Sequence, residues 1–252
     1  MHKQKFFGRL GKAGFYKDIL MKADSCLHSQ IMEEVEKSID RAGKILDLGA
    51  GEGALSLRLK DRGYNVLASD IDERIFKCQD EIPFIAVDFN DSSQVEKFIR
   101  NYEGYFDVVL GIEVIEHVEN PWNYIRLMKK LVKKDGKIIV STPNISSWLS
   151  RLKYLFTGEF VSFSDNDWIR SGHINPITAL ELTRIFQSEC FDNIKVRAGG
   201  NLPVFVIGRS YKMYFLSILN LILRPLMGGV KDGWCIIVTA EKKAFSQCKC
   251  IY

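Results

Sequence analysis

The stretch EVIEHV sets Glu113, Glu116 and His117 within one helical turn of one another. Imidazole titrates near neutral pH, so a histidine oriented by a neighbouring carboxylate can take a proton from a nucleophile. His117 is therefore the first candidate base, with Glu116 or Glu113 to orient it. His173, in GHINPIT, is a second candidate, either as a base or as a substrate contact. A different chemistry gathers in DLGAGEG, where Asp47 stands two residues before Gly49 and four before Gly51. Glycine at that density permits positive φ and lets a ligand approach the backbone closely. Gly49-x-Gly51-x-x-Ala54, with Asp70 some twenty residues on, also fits a dinucleotide fingerprint. Asp47 argues against that reading. A pyrophosphate at the helix N-terminus is repelled by a carboxylate there, whereas a ligand carrying a cationic amine is attracted.

These residues need a scaffold that brings strand ends together. Apolar runs at KILDLG, NVLASD, PFIAVDF, FDVVLGI and KIIVST read as strands, separated by helical patterns near 54–62, 92–101 and 122–134. Continuous apolar strands alternating with amphipathic helices imply an α/β fold, a parallel sheet covered on both faces. Thr178 and Glu181 form a capping box opening a helix over 179–189, and NIKVRA and WCIIVTAE read as late strands. At 252 residues and 46% hydrophobic, the chain can bury a full core as one domain. Its net charge is +4, and the only dense basic cluster, KKLVKK at 129–134, reads as a solvated helix end rather than a nucleic-acid footprint. The cysteines show no C-x-x-C pair, against structural zinc and a disulfide framework, so a reducing cytoplasm is expected. The basic N-terminus lacks the apolar stretch of a secretion signal.

LDLGAGEG, the acidic strand ends SDID and VDFND, and FDVVLGIEVIEHVENPWNYIRLMKKLVKKDGKIIVSTPN resemble the class I S-adenosylmethionine-dependent methyltransferases across roughly residues 40 to 200. The last stretch is most similar to the branch that holds the ubiquinone-biosynthesis O-methyltransferases and bacterial glycan-cluster methyltransferases. The resemblance implies a Rossmann-like, seven-stranded, mostly parallel sheet whose last strand, near 234–240, inserts antiparallel. It implies S-adenosyl-L-methionine as cofactor, a ligand with an amine and no phosphates. Asp47 and the backbone at Gly49 and Gly51 would then hold its methionine end, Asp70 its ribose hydroxyls, and Asp88 with Phe89 its adenine, with Ile112 alongside. In the resembling quinone enzymes a divalent cation is associated with the acidic and histidine positions of EVIEHV, so the resemblance admits a metal here. His173 falls in H-x-x-x-I-T, similar to the H-x-x-x-F-T-P element of the glycan-cluster branch, but Ile177 and Ala179 stand where that branch has phenylalanine and proline.

The chain divides into an N-terminal helical cap (1–43), a cofactor-binding core (44–142), a segment read as a substrate lid (144–177) with Trp148, Trp168, Arg170 and His173, and an apolar helical insertion (208–228). In that insertion Ser217, Asn220 and Arg224 share one face, leaving a broad apolar face to be covered. Packing on the sheet, covering a substrate pocket, or lying in a membrane interface with Arg209, Lys212 and Arg224 toward headgroups are the alternatives. Eleven charge-free residues are too few to span a bilayer, which takes about 20. The reading is methyl transfer to a hydroxyl of a glycan or lipid-linked small molecule in the cytoplasm or at a membrane's inner face, with no nucleic-acid partner. The alternatives are an NAD(P)-dependent oxidoreductase, disfavoured by Asp47 and Asp88, and a cofactor-binding module without activity.

Overall fold

The computed structural model describes residues 14–206 and 211–243; residues 1–13 of the basic N-terminus, and Arg209, lie outside them. In chain order the elements are β1 (Gly14–Tyr16), β2 (Ile19–Met21), α1 (Ser25–Glu36), β3 (Lys44–Leu48), α2 (Ala54–Asp61), β4 (Asn65–Asp70), β5 (Phe84–Ala86), α3 (Ser92–Tyr102), β6 (Phe106–Ile112), α4 (Pro121–Leu131), β7 (Val132–Pro143), α5 (Trp148–Thr157), α6 (Asp165–Ser171), α7 (Ala179–Ser188), β8 (Phe191–Gly199), α8 (Tyr211–Leu223) and β9 (Cys235–Lys242).

Strands β3 to β9 form one seven-stranded sheet in the order β5-β4-β3-β6-β7-β9-β8. Pairings from β5 across to β7 are parallel, and β9 runs antiparallel between β7 and β8, as expected for the last strand. Because side chains alternate across a strand, each strand feeds two cores. Ile45, Val108, Leu110, Ile139 and Ile237 face a core closed by α1, α2, α5 and α8. Leu46, Leu48, Val109, Ile138, Val140 and Val238 face the other, closed by α4 and α7 together with Phe98 of α3. The chain runs outward from β3 through β4 to β5, then returns to β6 on the other side of β3. The carboxyl ends of β3 and β6 thus flank the point where strand order reverses, the place where open α/β sheets leave a crevice for ligands.

Local signals set the helix starts. Asp91 caps α3 by accepting from Ser93 N and Gln94 N, Asn120 caps α4 ahead of Pro121, and Thr178 caps α7 by accepting from Glu181 N. Two boundaries differ from the sequence reading. Among the described residues of the N-terminal cap the helix is α1, and 14–21 pairs instead as the β1–β2 hairpin. The helix expected to run to 134 stops at Leu131; Val132, fully buried, already pairs with Phe106 in the sheet, so tertiary burial cuts the helix short. The insertion near 208–228 forms a helix, α8, which buries Met213, Leu216, Ser217 and Asn220 and leaves Tyr214, Phe215, Ile218, Leu221 and Ile222 exposed. Cys190 is disulfide-bonded, a crosslink that the cysteine spacing does not announce.

Candidate active site

The loop after β3 uses its glycines for different reasons. At Gly49, φ is +95° and a Cβ would lie 2.3 Å from Cγ2 of Val114, so glycine lets the loop press against the segment after β6. At Gly51, φ is +56° and a Cβ would project into open space. The backbone at this position is open on the side where a side chain would stand. Asp70, at the end of β4, accepts from Gly51 N through Oδ2 and from Ile71 N through Oδ1, both at 2.7 Å. Its carboxylate fixes the loop and keeps lone pairs for further donors.

Asp47 lies beneath this loop, only 2% exposed, and its Oδ2 accepts from Ser56 Oγ at 2.5 Å. Burial pushes its carboxyl up to about 6, the Ser56 hydrogen bond opposes the rise, and the nearby Asp70 charge adds to it. A cationic group entering here would relieve both the desolvation and the repulsion between the two carboxylates. Asp88 and Phe89 follow β5, both half-buried. Asp88 Oδ1 accepts from Asn90 N, and the Phe89 ring sits 5.7 Å from that of Tyr124. Ile112 closes β6 and is nearly buried. The seven residues expected at a cofactor therefore lie along the carboxyl ends of β3, β4, β5 and β6.

Beyond β6, Glu113 takes the left-handed conformation at φ +58°, an uncommon state for a residue with a side chain and one that collects at functional sites. Its amide donates to Ser141 O and its Oε1 accepts from Ser141 Oγ at 2.9 Å, so this glutamate ties β6 to β7. His117 and His173 come together, ring centroids 4.8 Å apart and nearly perpendicular. His117 Nδ1 lies 3.2 Å from Gly172 O and His173 Nδ1 lies 2.7 Å from Ser162 O. A carbonyl oxygen can only accept, so each Nδ1 carries the proton and each Nε2 bears a lone pair in the neutral ring. Burial, and then the neighbouring His173, lower the His117 pKa below its usual 6.5, which keeps the ring neutral and able to take up a proton at physiological pH. Fully buried Glu116 sets Oε1 4.0 Å from His117 Nε2, ready to balance the charge when that nitrogen is protonated.

Hydrogen bonds tie the 144–177 segment to the stretch after β6. Ile174 N and Asn175 N donate to Glu116 O at 2.9 and 3.0 Å, and Asn175 Nδ2 donates to Val118 O. Of the aromatic residues expected in the lid, Trp148 is instead fully buried core, while Trp168 is 61% exposed. Sequence reasoning missed Ser56, Ser141 and the carbonyls of Ser162 and Gly172. None has a local signal, because each acts through a contact that only the fold creates.

A glycine-cradled crevice at the strand-order reversal, an acidic end on each of the first strands and an antiparallel β9 together define a Rossmann-like class I methyltransferase fold. The family described as methyltransferase domain matches residues 24–196, and the chain belongs to it. The ubiquinone biosynthesis O-methyltransferase of Pseudomonas aeruginosa (strain UCBPP-PA14) is 36% identical over 112 residues, 42% of this chain and 48% of that protein. The enzyme of the same name from Erwinia tasmaniensis is 28% identical over 163 residues, 54% of this chain and 67% of that protein. Across most of these curated relatives the chain matches about half of their length. A SAM-dependent methyltransferase from Archaeoglobus fulgidus superposes with TM-score 0.62 at 17% identity, covering 85% of this chain and 92% of that one. Haemonchus contortus phosphoethanolamine N-methyltransferase 2, in complex with S-adenosyl-L-methionine, gives TM-score 0.54 at 11% identity, covering 86% and 53%. At these identities the two structures speak for the fold.

Proposed function

We propose that this chain transfers the methyl group of S-adenosyl-L-methionine to a hydroxyl oxygen of a glycan or lipid-linked small molecule. The observation that supports the reading is the paired imidazoles, each with Nδ1 donating to a carbonyl, beside the carboxyl end of β6. The residues present suit the cofactor: Asp47 for the amine, the bared Gly51 backbone for the methionine end, Asp70 for the ribose hydroxyls, and Asp88 with Phe89 for the adenine. When bound, S-adenosyl-L-methionine supplies an electrophilic methyl on a sulfonium. The protein aligns the acceptor oxygen and removes its proton to Nε2 of His117, with His173 as the second candidate. The O-methyltransferase names of the relatives support an oxygen acceptor.

A second reading has its own observation. Glu116, His117 and His173 offer ligand atoms all within 4.8 Å of one another. Carbonyl-bound Nδ1 protons turn both Nε2 lone pairs outward, the arrangement that second-shell acceptors impose on metal-binding histidines. These residues would hold a divalent cation, which would supply Lewis acidity toward an acceptor hydroxyl. Transfer of labelled methyl from the cofactor to a panel of hydroxylated glycans and lipid-linked acceptors, with and without a chelator, tests both readings. Label in no acceptor would sink the transferase reading. Turnover indifferent to the chelator and to added divalent metal would remove the cation.

A further inference from the structure

We propose that α8 and the adjoining α5 form a docking surface for an anionic membrane. A helix covering a domain in water turns its apolar side chains inward. Helix α8 buries polar as well as apolar side chains and leaves a second apolar face outside. Ser217 is fully buried, with Oγ donating to Met213 O at 2.8 Å and accepting from Val206 N at 3.0 Å. Asn220 is also buried, and its Nδ2 donates to Val204 O at 2.8 Å. The polar face of the helix thus binds the backbone of the 201–206 strap. Met213 and Leu216 are buried in the core, and Leu219 and Leu223 pack against it partly buried. Its outer face carries Tyr214, Phe215, Ile218, Leu221 and Ile222, of which Phe215 is 58% and Ile222 66% exposed. Helix α5 packs beside α8 and ends in Tyr154, Leu155 and Phe156, all exposed. Apolar surface this continuous on a chain in water marks a contact site.

The charges around it say what it contacts. Over 144–158, 201–206 and 211–231 there is no aspartate or glutamate, while Arg151, Lys153, Lys212, Arg224 and Lys231 all fall there. Bordering acids pair with two of these: Asp232 with Arg224, and Glu159 with Lys153. Arg151 and Lys231 donate to backbone carbonyls, which leaves their charges in place, so with Lys212 the margin around the apolar and tyrosine side chains is net basic, the pattern of a helix lying in the plane of an anionic interface. The carboxylates at its border, Asp232 and Glu159, are engaged by Arg224 and Lys153, which leaves cations in excess. With thirteen residues, α8 is about 20 Å long, enough to lie in the interface but short of the roughly 30 Å hydrocarbon core. No helix among the described residues is long and apolar enough to cross a membrane. The segment leaving α5 leads within five residues to Ser162, whose carbonyl holds His173, so the docking face and the histidine pair share one lid. The proposal rests on the surface alone and stands whatever the methyl acceptor is.

The test is co-sedimentation of the full chain with vesicles of mixed phosphatidylglycerol and phosphatidylcholine, compared with phosphatidylcholine alone, at low and high salt. The expected result is binding to anionic vesicles that falls as salt rises. Phe215→Ser with Ile222→Ser should weaken it roughly tenfold or more, since two large apolar side chains lose their burial. Both residues are exposed, so the melting temperature should not change. Phe215→Trp gives a second readout that cannot fail through misfolding by a polar substitution: its added fluorescence should be quenched by brominated anionic lipid. Protein left in the supernatant at low salt, equal binding to neutral vesicles, or an unquenched tryptophan each overturns the proposal. A concentration-dependent dimer that the double serine variant abolishes, with no vesicle binding, overturns it in favour of a second copy of this chain.

Discussion

Replacing Asp47 with asparagine separates what that carboxylate does to the fold from what it does for a ligand. Its pKa rises from the model-peptide value of 3.8 to about 6 on folding, chiefly through burial. At about 1.36 kcal/mol per pKa unit, the ionised form costs the folded, ligand-free protein roughly 3 kcal/mol above pH 6. The sign follows from proton binding. Between pH 3.8 and about 6 the folded state holds the proton that the unfolded state has lost, so stability falls as pH rises through that window. Asparagine keeps an oxygen for Ser56 Oγ and has nothing to ionise. Asp47→Asn should therefore stabilise the ligand-free protein at pH 7.5 by about 2–3 kcal/mol, or roughly 4–12 °C in melting temperature for a chain of this size. The gain should shrink as pH falls toward 4. Calorimetry with S-adenosylhomocysteine should show the opposite effect, an affinity about ten- to a hundredfold weaker, because the ligand's amine loses a charged acceptor. A melting temperature unchanged by the substitution across this pH range would refute the burial argument. Unchanged affinity in the folded variant would refute the amine assignment.

Other substitutions probe the remaining parts of the site. Asp70→Ala removes the acceptor for Gly51 N and Ile71 N and should weaken S-adenosylhomocysteine binding by about tenfold while costing roughly 1–2 kcal/mol of stability; calorimetry and melting measure the two effects. His117→Ala should lower turnover by about 10²–10⁴ with cofactor affinity nearly intact. In the wild-type enzyme kcat/KM should rise with pH through a value below 6.5, the point at which His117 becomes neutral, and this limb should vanish in the variant. If His173→Ala abolishes turnover while His117→Ala is harmless, the base lies in the lid. Gly49→Ala should destabilise the fold by about 1–3 kcal/mol, because its Cβ meets Val114 at a positive φ, whereas Gly51→Ala should fold with roughly 1 kcal/mol of backbone strain and lose cofactor affinity. Equal loss of stability at both glycines, read by denaturant titration, would contradict that division.

What the sequence determined by itself is local or periodic. Runs such as FDVVLGI admit only a strand buried on both faces, and Asp91, Asn120 and Thr178 cap helices through contacts within three residues. The turn from β3 into α2 was legible in Gly49 and Gly51, because its positive φ values limit which residue types fit. Other features required the tertiary structure. Helix α4 stops at Leu131 because Val132 is drawn into the sheet, a preference that helical periodicity cannot show. Ser56 meets Asp47 across nine residues, and Gly172 and Ser162 fix the tautomers of two histidines 56 positions apart in the chain through carbonyl oxygens, which every residue possesses. The same reason decides α8. Its sequence does not show that Ser217 and Asn220 turn inward beside Met213 and Leu216; that depends on a strap at 201–206 whose backbone groups take the partners Ser217 and Asn220 supply, and a buried amide or carbonyl left unpaired is costly.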